Sequence, residues 1–210
     1  MSMPTEASPE ELLLAARKGD SEALGRLLQL YWNYLKLLAS TRIDGRLQAR
    51  FSASDVVQEA FLDAHRGFAQ FRGETERELR AWLRQILVNR LWQLVQQHAR
   101  AEKRNVHCEV SLNAVGAAIG RSTARLESIL EASITSPSSG ASRREHTVIL
   151  ADSVAKLPED YREVLVLRHL EGLPFEQVAQ RMGRSSGAVR MLWMRALEQL
   201  RQLLNAEGVS

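Results

Sequence analysis

Apolar residues recur at helical spacing through roughly the first hundred positions of the chain. The sequence from Ser8 has the form of a helix start, because it combines a capping residue, a proline at the first helical position and a glutamate at the third. Further periodic segments run from Asp20 to about Ser40, from Ser52 onward, and from about Glu76 to Arg104. Four helices of this kind predict one small helical domain.

The last third of the chain is also periodic, and turn residues mark its breaks. One helix is predicted from a capping box at Ser142 to Lys156, and a second from Pro158 to Gly172. The stretch PFEQVAQRMG and the segment from Ser186 to about Asn205 complete a set of four helices, and Gly183 permits a sharp turn between the last two. This pattern is typical of a DNA-binding helix-turn-helix, but a plain pair of packed helices would show it equally well.

Between these halves, from Asn105 to about Ala141, the periodicity is poor and Ser, Thr, Ala and Gly accumulate. The piece TSPSSGAS predicts a flexible connection, within which only short helical turns are expected, such as one near Ala124 to Leu130. We therefore predict an all-α chain of two small helical domains. Its parts are an N-terminal tail over 1–9, a helical domain over 10–104, a flexible linker over 105–144, a helix-turn-helix domain over 145–205 and a C-terminal tail over 206–210.

Composition and charge narrow the class of protein. Of the 210 residues 45% are hydrophobic and 6% aromatic, which supports apolar cores and favours helices over sheets. A formal charge of +3 is by itself a weak indication of nucleic-acid binding. The single cysteine, Cys108, excludes an intrachain disulfide and favours a reducing compartment. No signal peptide or membrane span is predicted, so we expect a cytoplasmic protein with no membrane partner.

The predicted helix over 79–104 is strongly basic, with one acid, Glu102, against six cations: Arg80, Arg84, Arg90, Arg100, Lys103 and Arg104. Residues that can bond to bases or stack on them lie between the cations: Asn89, Trp92, Gln93, Gln96, Gln97 and His98. Such a mixture predicts a nucleic-acid surface, including one for an unpaired strand. A solvated amphipathic helix is the alternative.

An acidic stripe precedes this helix, since Asp55, Glu59 and Asp63 follow one another at intervals of four. An acidic edge beside a nucleic-acid surface would repel phosphate, so it fits better as a docking surface for a basic protein. The alternative is that Asp55 merely completes a helix cap with Ser52.

The front of the last helix offers Ser185, Ser186, Arg190, Met191, Met194 and Arg195 on its outer face, while Trp193 belongs to the apolar stripe behind it. Arginine can bond to guanine edges or phosphates, serine can donate to phosphate, and methionine can contact thymine methyl groups. By contrast, no Walker loop, dinucleotide fingerprint or nucleophile elbow occurs. His107 and Cys108 are adjacent, which is not a zinc-ligand spacing. We therefore predict no catalytic site, metal or cofactor, and a protein that is not an enzyme.

Three stretches, in this order, resemble the two conserved regions of extracytoplasmic-function (ECF) sigma factors of bacterial RNA polymerase: DVVQEAFLDAHRGFAQFRG, LRAWLRQILVNRLWQLVQQHARAEKR and LPEDYREVLVLRHLEGLPFEQVAQRMGRSSGAVRMLWMRALEQLRQLL. The resemblance extends over about Glu10 to Arg104 and Glu145 to Leu204. It implies that the N-terminal domain is the family's second region and the C-terminal domain its fourth region.

The resemblance also implies three sets of site residues. The first set would dock on the clamp helices of the polymerase β′ subunit: Asp55, Gln58, Glu59, Phe61 and Leu62. The second would hold the melted minus-ten element, with Phe71 to Glu78 as the loop that captures a flipped base: Arg72, Asn89, Arg90, Gln93, Gln97, Arg100, Lys103 and Arg104. The third would read the duplex minus-thirty-five element, in a domain that also touches the β flap: Arg184, Ser185, Ser186, Arg190, Met191, Met194 and Arg195.

The chain departs from the family's pattern in two places. Met191-Leu192-Trp193 stands where many members have a Ser-Arg-Leu run, which bears on base preference. Pro174 stands where a Ser or Thr cap is common, so the helix that follows it must begin without that cap.

The function implied by the resemblance is that of a sigma factor, with core RNA polymerase and promoter DNA, both duplex and melted, as partners and an anti-sigma protein as a further candidate. The stretch from Asn105 to Glu145 has 41 residues and could extend to roughly 135 Å at about 3.3 Å per residue. Promoter elements some 25 base pairs apart lie roughly 85 Å apart, so one chain could hold both. A homodimeric helix-turn-helix regulator is the alternative, although the N-terminal half lacks the strand pattern of a receiver domain, and an inert helical adaptor is a third.

Overall fold

The computed structural model describes residues 7–42, 51–101, 111–133 and 142–207. Every regular element within these ranges is helical, which confirms the all-α fold class. The helices are α1 (Pro9–Arg17), α2 (Ser21–Leu30), α3 (Trp32–Ser40), α4 (Ala53–Gly67), α5 (Glu76–Ala101), α6 (Leu112–Ser133), α7 (Ser142–Lys156), α8 (Glu159–Leu165), α9 (Phe175–Met182) and α10 (Ser186–Ala206). A short 3-10 turn, Phe68–Gln70, follows α4, and a π-helical turn, Val166–Leu170, extends α8.

The starts of α1 and α2 are capped by side chains. Ser8 Oγ accepts a hydrogen bond from the Glu11 N–H at 3.2 Å, and the Glu11 carboxylate accepts one from the Ser8 N–H at 2.8 Å. Asp20 likewise caps α2 through its Oδ1. These bonds satisfy N–H groups that have no partner inside the helix.

The single helix expected from Asp20 to about Ser40 is divided into α2 and α3. Tyr31 lies at the break with φ −95° and ψ 3°, and its N–H bonds to the Leu28 carbonyl in a tightened turn. Its side chain is buried. Because the apolar stripe continues on both sides of Tyr31, the periodicity contains no sign of this break.

The N-terminal half is built on α3, α4 and α5, which pack on one another. Leu35 and Leu38 of α3, Val57 of α4, and Leu83 and Leu87 of α5 are almost completely buried. This core fixes the mutual orientation of α4 and α5, which carry two of the three predicted sets of site residues.

Helix α6 corrects the expectation of a flexible linker over 105–144. Residues 112–133 form a helix of 22 residues, with Val115, Ile119 and Leu126 buried on one side. The apolar stripe is hard to recognise in the sequence, because alanine, glycine and serine occupy many of the positions between Val115, Ile119 and Leu126. The remainder of the predicted linker, 105–110 and 134–141, lies outside the described residues.

The N-terminal half, α6 and the C-terminal half are in contact. Asn33 Nδ2 of α3 donates to Asp152 Oδ1 of α7 at 2.8 Å, and Ser122 Oγ of α6 lies 3.3 Å from both Thr41 Oγ1 and the Leu170 carbonyl. Arg125 also donates to that carbonyl, at 3.2 Å. The described chain is thus one packed unit, with α6 between its halves.

The C-terminal half contains the helix-turn-helix, in which α9 and α10 pack on each other. Helix α9 begins at Pro174 without a side-chain cap, as expected, and ends at Gly183, which has the left-handed φ of +62°. Within the described ranges no helix has both the length and the apolar character needed to cross a membrane. The same ranges contain no group of His, Cys, Asp and Glu side chains suited to a metal ion.

Candidate nucleic-acid interface

Asp55 forms a capping box at the start of α4. Its Oδ2 accepts hydrogen bonds from the Ser52 N–H at 3.0 Å and the Ser52 hydroxyl at 2.8 Å, while its own N–H donates to Ser52 Oγ at 3.1 Å. The bonds from Ser52 lower the pKa of Asp55 below its usual range. The cap interpretation of Asp55 therefore holds, and the carboxylate is nevertheless exposed on the surface.

The remaining residues of the first set extend this surface along α4. Gln58, Glu59 and Leu62 are exposed, Leu62 at 55%. Together with Asp55 they occupy positions i, i+3, i+4 and i+7, which lie on one face of a helix. Phe61 is half-buried and packs edge-on against Trp32, with ring centroids 5.7 Å apart. We call Asp55, Gln58, Glu59 and Leu62 the α4 face. It combines the apolar side chain of Leu62 with two carboxylates and an amide.

Asn89, Gln93 and Gln97 are exposed on α5 at intervals of four residues, so they form one polar row. Asn89 Oδ1 accepts a hydrogen bond from Gln85 Nε2 at 3.1 Å. Arg100 lies in the last turn of α5, whereas Lys103 and Arg104 fall outside the described residues.

Arg90 is placed differently from the other members of the second set. Its Nη2 donates to Asp63 Oδ1 at 2.6 Å and its Nε donates to Asp63 Oδ2, so the guanidinium forms a two-pronged pair with α4. Its Nη1 lies 3.4 Å from Glu59 Oε2. The hydrogen bonds to Asp63 raise the pKa of Arg90. The acidic stripe of α4 is thus neutralised in part by the basic helix.

The loop that connects α4 to α5 is held by an aromatic cluster and by a cap. The ring of Phe71 lies 4.9 Å from that of Trp82, centroid to centroid. The Glu78 carboxylate accepts hydrogen bonds from the N–H groups of Glu74 and Thr75 at 2.9 and 3.0 Å, which lowers the pKa of Glu78. Arg72 is exposed on this loop. The loop therefore presents Arg72 from a fixed backbone.

Gly73 belongs to the same loop. A Cβ added to it would collide with the Phe71 ring and lie 2.8 Å from Glu78 Cβ. The close packing of the loop therefore requires glycine at this position.

The third set lies at the front of α10. Ser185 is the N-cap residue, and its Oγ accepts from the Ala188 N–H at 3.2 Å. Met191 and Met194 are 52% and 57% exposed. Arg195 is exposed and Ser186 half-buried. The structure thus brings these residues together at one end of the helix-turn-helix.

Two arginines of this set are engaged by acids of neighbouring helices. Arg184 pairs with Asp160 at the start of α8, and Arg190 Nη2 lies 3.4 Å from Glu176 Oε1 on α9. Sequence reasoning missed these acidic partners, because the periodicity of a helix does not show which side chain of another helix faces it.

Trp193 supports this surface from behind, as expected. Its ring packs edge-on against Phe175, with centroids 5.5 Å apart, and its Nε1 donates to His169 Nε2 at 2.8 Å. Burial, together with the neighbouring charge of Arg168, lowers the pKa of His169. A neutral imidazole is required here, since Nε2 must accept a hydrogen bond from the indole N–H.

Comparisons with known proteins identify the regions of the chain that are shared with a known family. The family model described as Sigma-70 region 2 matches residues 26–101, and that described as Sigma-70, region 4 matches residues 147–200. The ECF RNA polymerase sigma-E factor of Escherichia coli (strain K12) is 30% identical over 197 residues, which cover 93% of this chain and 94% of the relative. The sigma-E factor of Haemophilus influenzae is 29% identical over 200 residues, 94% and 96% of the two chains.

A solved structure, that of CnrH in complex with the cytosolic domain of CnrY, is 24% identical in sequence. The alignment covers 94% of this chain and 97% of the matched chain of that structure, with a TM-score of 0.36. The ranges matched by the two family models contain α4 and α5 in the first half, and α9 with most of α10 in the second.

Proposed function

The chain belongs to the ECF sigma factors of bacterial RNA polymerase, and on this premise we propose which of its surfaces perform each step of initiation. As a member of this family it is an alternative sigma factor, which binds core RNA polymerase and promoter DNA and directs the initiation of transcription. The described N-terminal half contains no strand that could form a receiver domain, so a homodimeric regulator is not favoured.

The α4 face is the proposed docking surface for the polymerase. The supporting observation is that Asp55, Gln58, Glu59 and Leu62 share one exposed helix face. Apolar contact at Leu62 would supply affinity, and the two carboxylates would select a basic partner surface. The β′ clamp helices are the proposed partner, with Phe61 holding α4 against Trp32 behind this face.

The proposed surface for the melted minus-ten strand consists of the polar row on α5 and the loop from Phe71 to Glu78. Asn89, Gln93 and Gln97 offer amide donors and acceptors to unpaired bases, and Arg72 offers a cation to phosphate. Arg100, Lys103 and Arg104 would extend the surface beyond the row. Capture of an extruded base at the rigid loop would favour the melted state, because such binding has no equivalent in duplex DNA.

The front of α10 is the proposed reader of the duplex minus-thirty-five element, in a domain that also touches the β flap. The ion pairs of Arg184 and Arg190 are exposed, and such pairs contribute about 0–1 kcal/mol. Phosphates or guanine edges can therefore displace Asp160 and Glu176 at little cost. Ser185 retains a hydroxyl proton for phosphate while its oxygen caps the helix. Ser186 and Arg195 would add contacts at the edge of this surface. Met191 and Met194 would make apolar contacts to the bases.

This proposed mechanism involves no covalent chemistry by the chain itself and needs no metal or cofactor. Its place of action is the cytoplasm, together with RNA polymerase. An anti-sigma protein is a candidate partner, and it would compete with RNA polymerase and DNA for these surfaces.

The test uses the full chain with core polymerase and promoter DNA. Asp55→Asn combined with Glu59→Gln removes both charges of the α4 face, while an amide at position 55 can still accept from Ser52. We expect this variant to bind core polymerase more weakly and to keep its affinity for minus-thirty-five duplex DNA. The matched control, Met191→Ala with Met194→Ala, should show the reverse pattern. Failure of the wild-type chain to bind core polymerase or to support initiation at any promoter would refute the proposal.

A further inference from the structure

Each nitrogen of the Arg90 guanidinium already has a partner within the protein in this structure. Nε and Nη2 donate to the two oxygens of Asp63, and Nη1 donates to Gln93 Oε1 at 3.3 Å while lying 3.4 Å from Glu59 Oε2. The guanidinium side chain is only 26% exposed and that of Asp63 only 31%. Two-pronged arginine–carboxylate pairs are among the stronger side-chain ion pairs. A two-pronged phosphate contact would therefore require breaking at least one of these interactions.

Two of the groups that contact Arg90 belong to the two surfaces proposed above, and Asp63 lies beside them on α4. Glu59 is part of the α4 face, and Gln93 is the middle residue of the polar row on α5. Arg90 thus connects the docking surface for polymerase with the surface for the melted strand. Its bond to Gln93 Oε1 also orients that amide, which leaves the Gln93 amino group to face outward as a donor.

We propose that Arg90 is a positioning residue that fixes Gln93 and the acidic side of α4 relative to each other, and that it makes no phosphate contact of its own. This inference rests on the proposed function of the two surfaces. It reassigns Arg90, which the family resemblance places among the residues that bind the melted strand. It also helps to explain how an acidic stripe lies beside a nucleic-acid surface, since Arg90 offsets part of the charge of Asp63 and Glu59.

The salt dependence of strand binding distinguishes a positioning role from a phosphate contact. Holoenzyme reconstituted with each variant is titrated with a single-stranded minus-ten oligonucleotide at several salt concentrations. Each phosphate contact contributes about 0.7 to the slope of log K against log salt for single strands. We expect Arg90→Gln to weaken binding about three- to tenfold with the slope of the wild type, and the matched control Arg72→Gln to lower the slope by about 0.7.

Asp63 provides the second readout. If Arg90 acts through this pair, Asp63→Asn should weaken strand binding as Arg90→Gln does, and the double variant should be no weaker than either single variant. Arg90→Lys should restore only part of the affinity, because an ammonium group cannot form the two-pronged pair. Thermal unfolding of each free variant identifies any loss that comes from misfolding.

Either of two results would overturn the inference: a slope lowered by about 0.7 in Arg90→Gln, or full strand affinity in Asp63→Asn. The first would return Arg90 to the strand-binding surface. Failure of the wild-type holoenzyme to bind the oligonucleotide would instead refute the proposed function, so the two failures are distinguishable.

Discussion

Leu126→Ala tests the packing of α6 most directly. Leu126 is 1% exposed and lines an apolar space between the halves of the molecule, which Leu37 of α3, Leu150 of α7 and Leu200 of α10 also line. A side chain in a flexible linker would make no such contacts. The substitution therefore distinguishes the observed helix from the loose connection that the sequence predicts.

Truncation of a buried leucine to alanine costs about 2–5 kcal/mol, and the cost is higher where the surroundings cannot collapse into the space. The walls around Leu126 come from several different helices, which restrict each other's movement. We therefore expect a loss of about 3 kcal/mol in the free energy of unfolding. For a chain of this size that loss corresponds to a decrease in Tm of about 6–12 °C.

Urea and thermal unfolding, followed by circular dichroism and by tryptophan fluorescence, would measure this effect. Tryptophans lie in both halves, with Trp32 in α3 and Trp193 in α10, so fluorescence reports on the whole described fold. The matched control is Glu127→Ala, an exposed neighbour on the same helix, which should change stability by less than about 0.5 kcal/mol. If Leu126→Ala were as mild as this control, the packed position of α6 would be refuted.

Three further predictions concern a glycine and two titratable groups. Gly183→Ala should cost about 1–2 kcal/mol in urea unfolding, because its φ of +62° strains any residue with a Cβ, and Gly183→Asn should cost less. Since burial lowers the pKa of His169, the unfolded chain takes up the proton first and stability should decrease as pH falls below about 6.5. His169→Gln can still accept from Trp193, so it should remove this pH dependence from the Tm; an unchanged profile would contradict the assignment. Burial raises the pKa of Asp152, so the folded chain keeps the proton longer and stability should decrease as pH rises above about 3.9. Asp152→Asn keeps an acceptor for Asn33 and should remove that decrease, as urea midpoints across pH would show.

Local features of this fold could be predicted because their causes are local in the sequence. The cap at Ser8 forms as expected, and those at Asp20 and Ser52 likewise involve residues within three positions of one another. The turn at Gly183 depends on its own backbone and on the helices beside it. The family motifs also indicated that the two halves correspond to the second and fourth regions of the family, and the matches to the two family models confirm this.

The features that could not be predicted depend on contacts between distant residues. Helix α6 is held by groups from both halves, such as Thr41 and Leu170, which lie far from Ser122 in the sequence. The pair of Arg90 with Asp63 joins residues 27 positions apart. A basic residue on a helix looks the same in the sequence whether it faces phosphate or a carboxylate. Only the packing of α4 on α5 decides which partner it finds.

Helix α6 also determines how far apart the two DNA-binding halves can act. Its 22 residues extend only about 33 Å as a helix, at about 1.5 Å per residue. Even with 102–111 and 134–141 drawn out fully, the connection from α5 to α7 would reach about 90 Å. Elements about 25 base pairs apart require about 85 Å. The effective concentration of one half at the second element falls towards zero as the connection approaches its limit. With α6 intact, the connection would therefore span this separation only when almost fully extended, and unfolding of α6 would lengthen its reach.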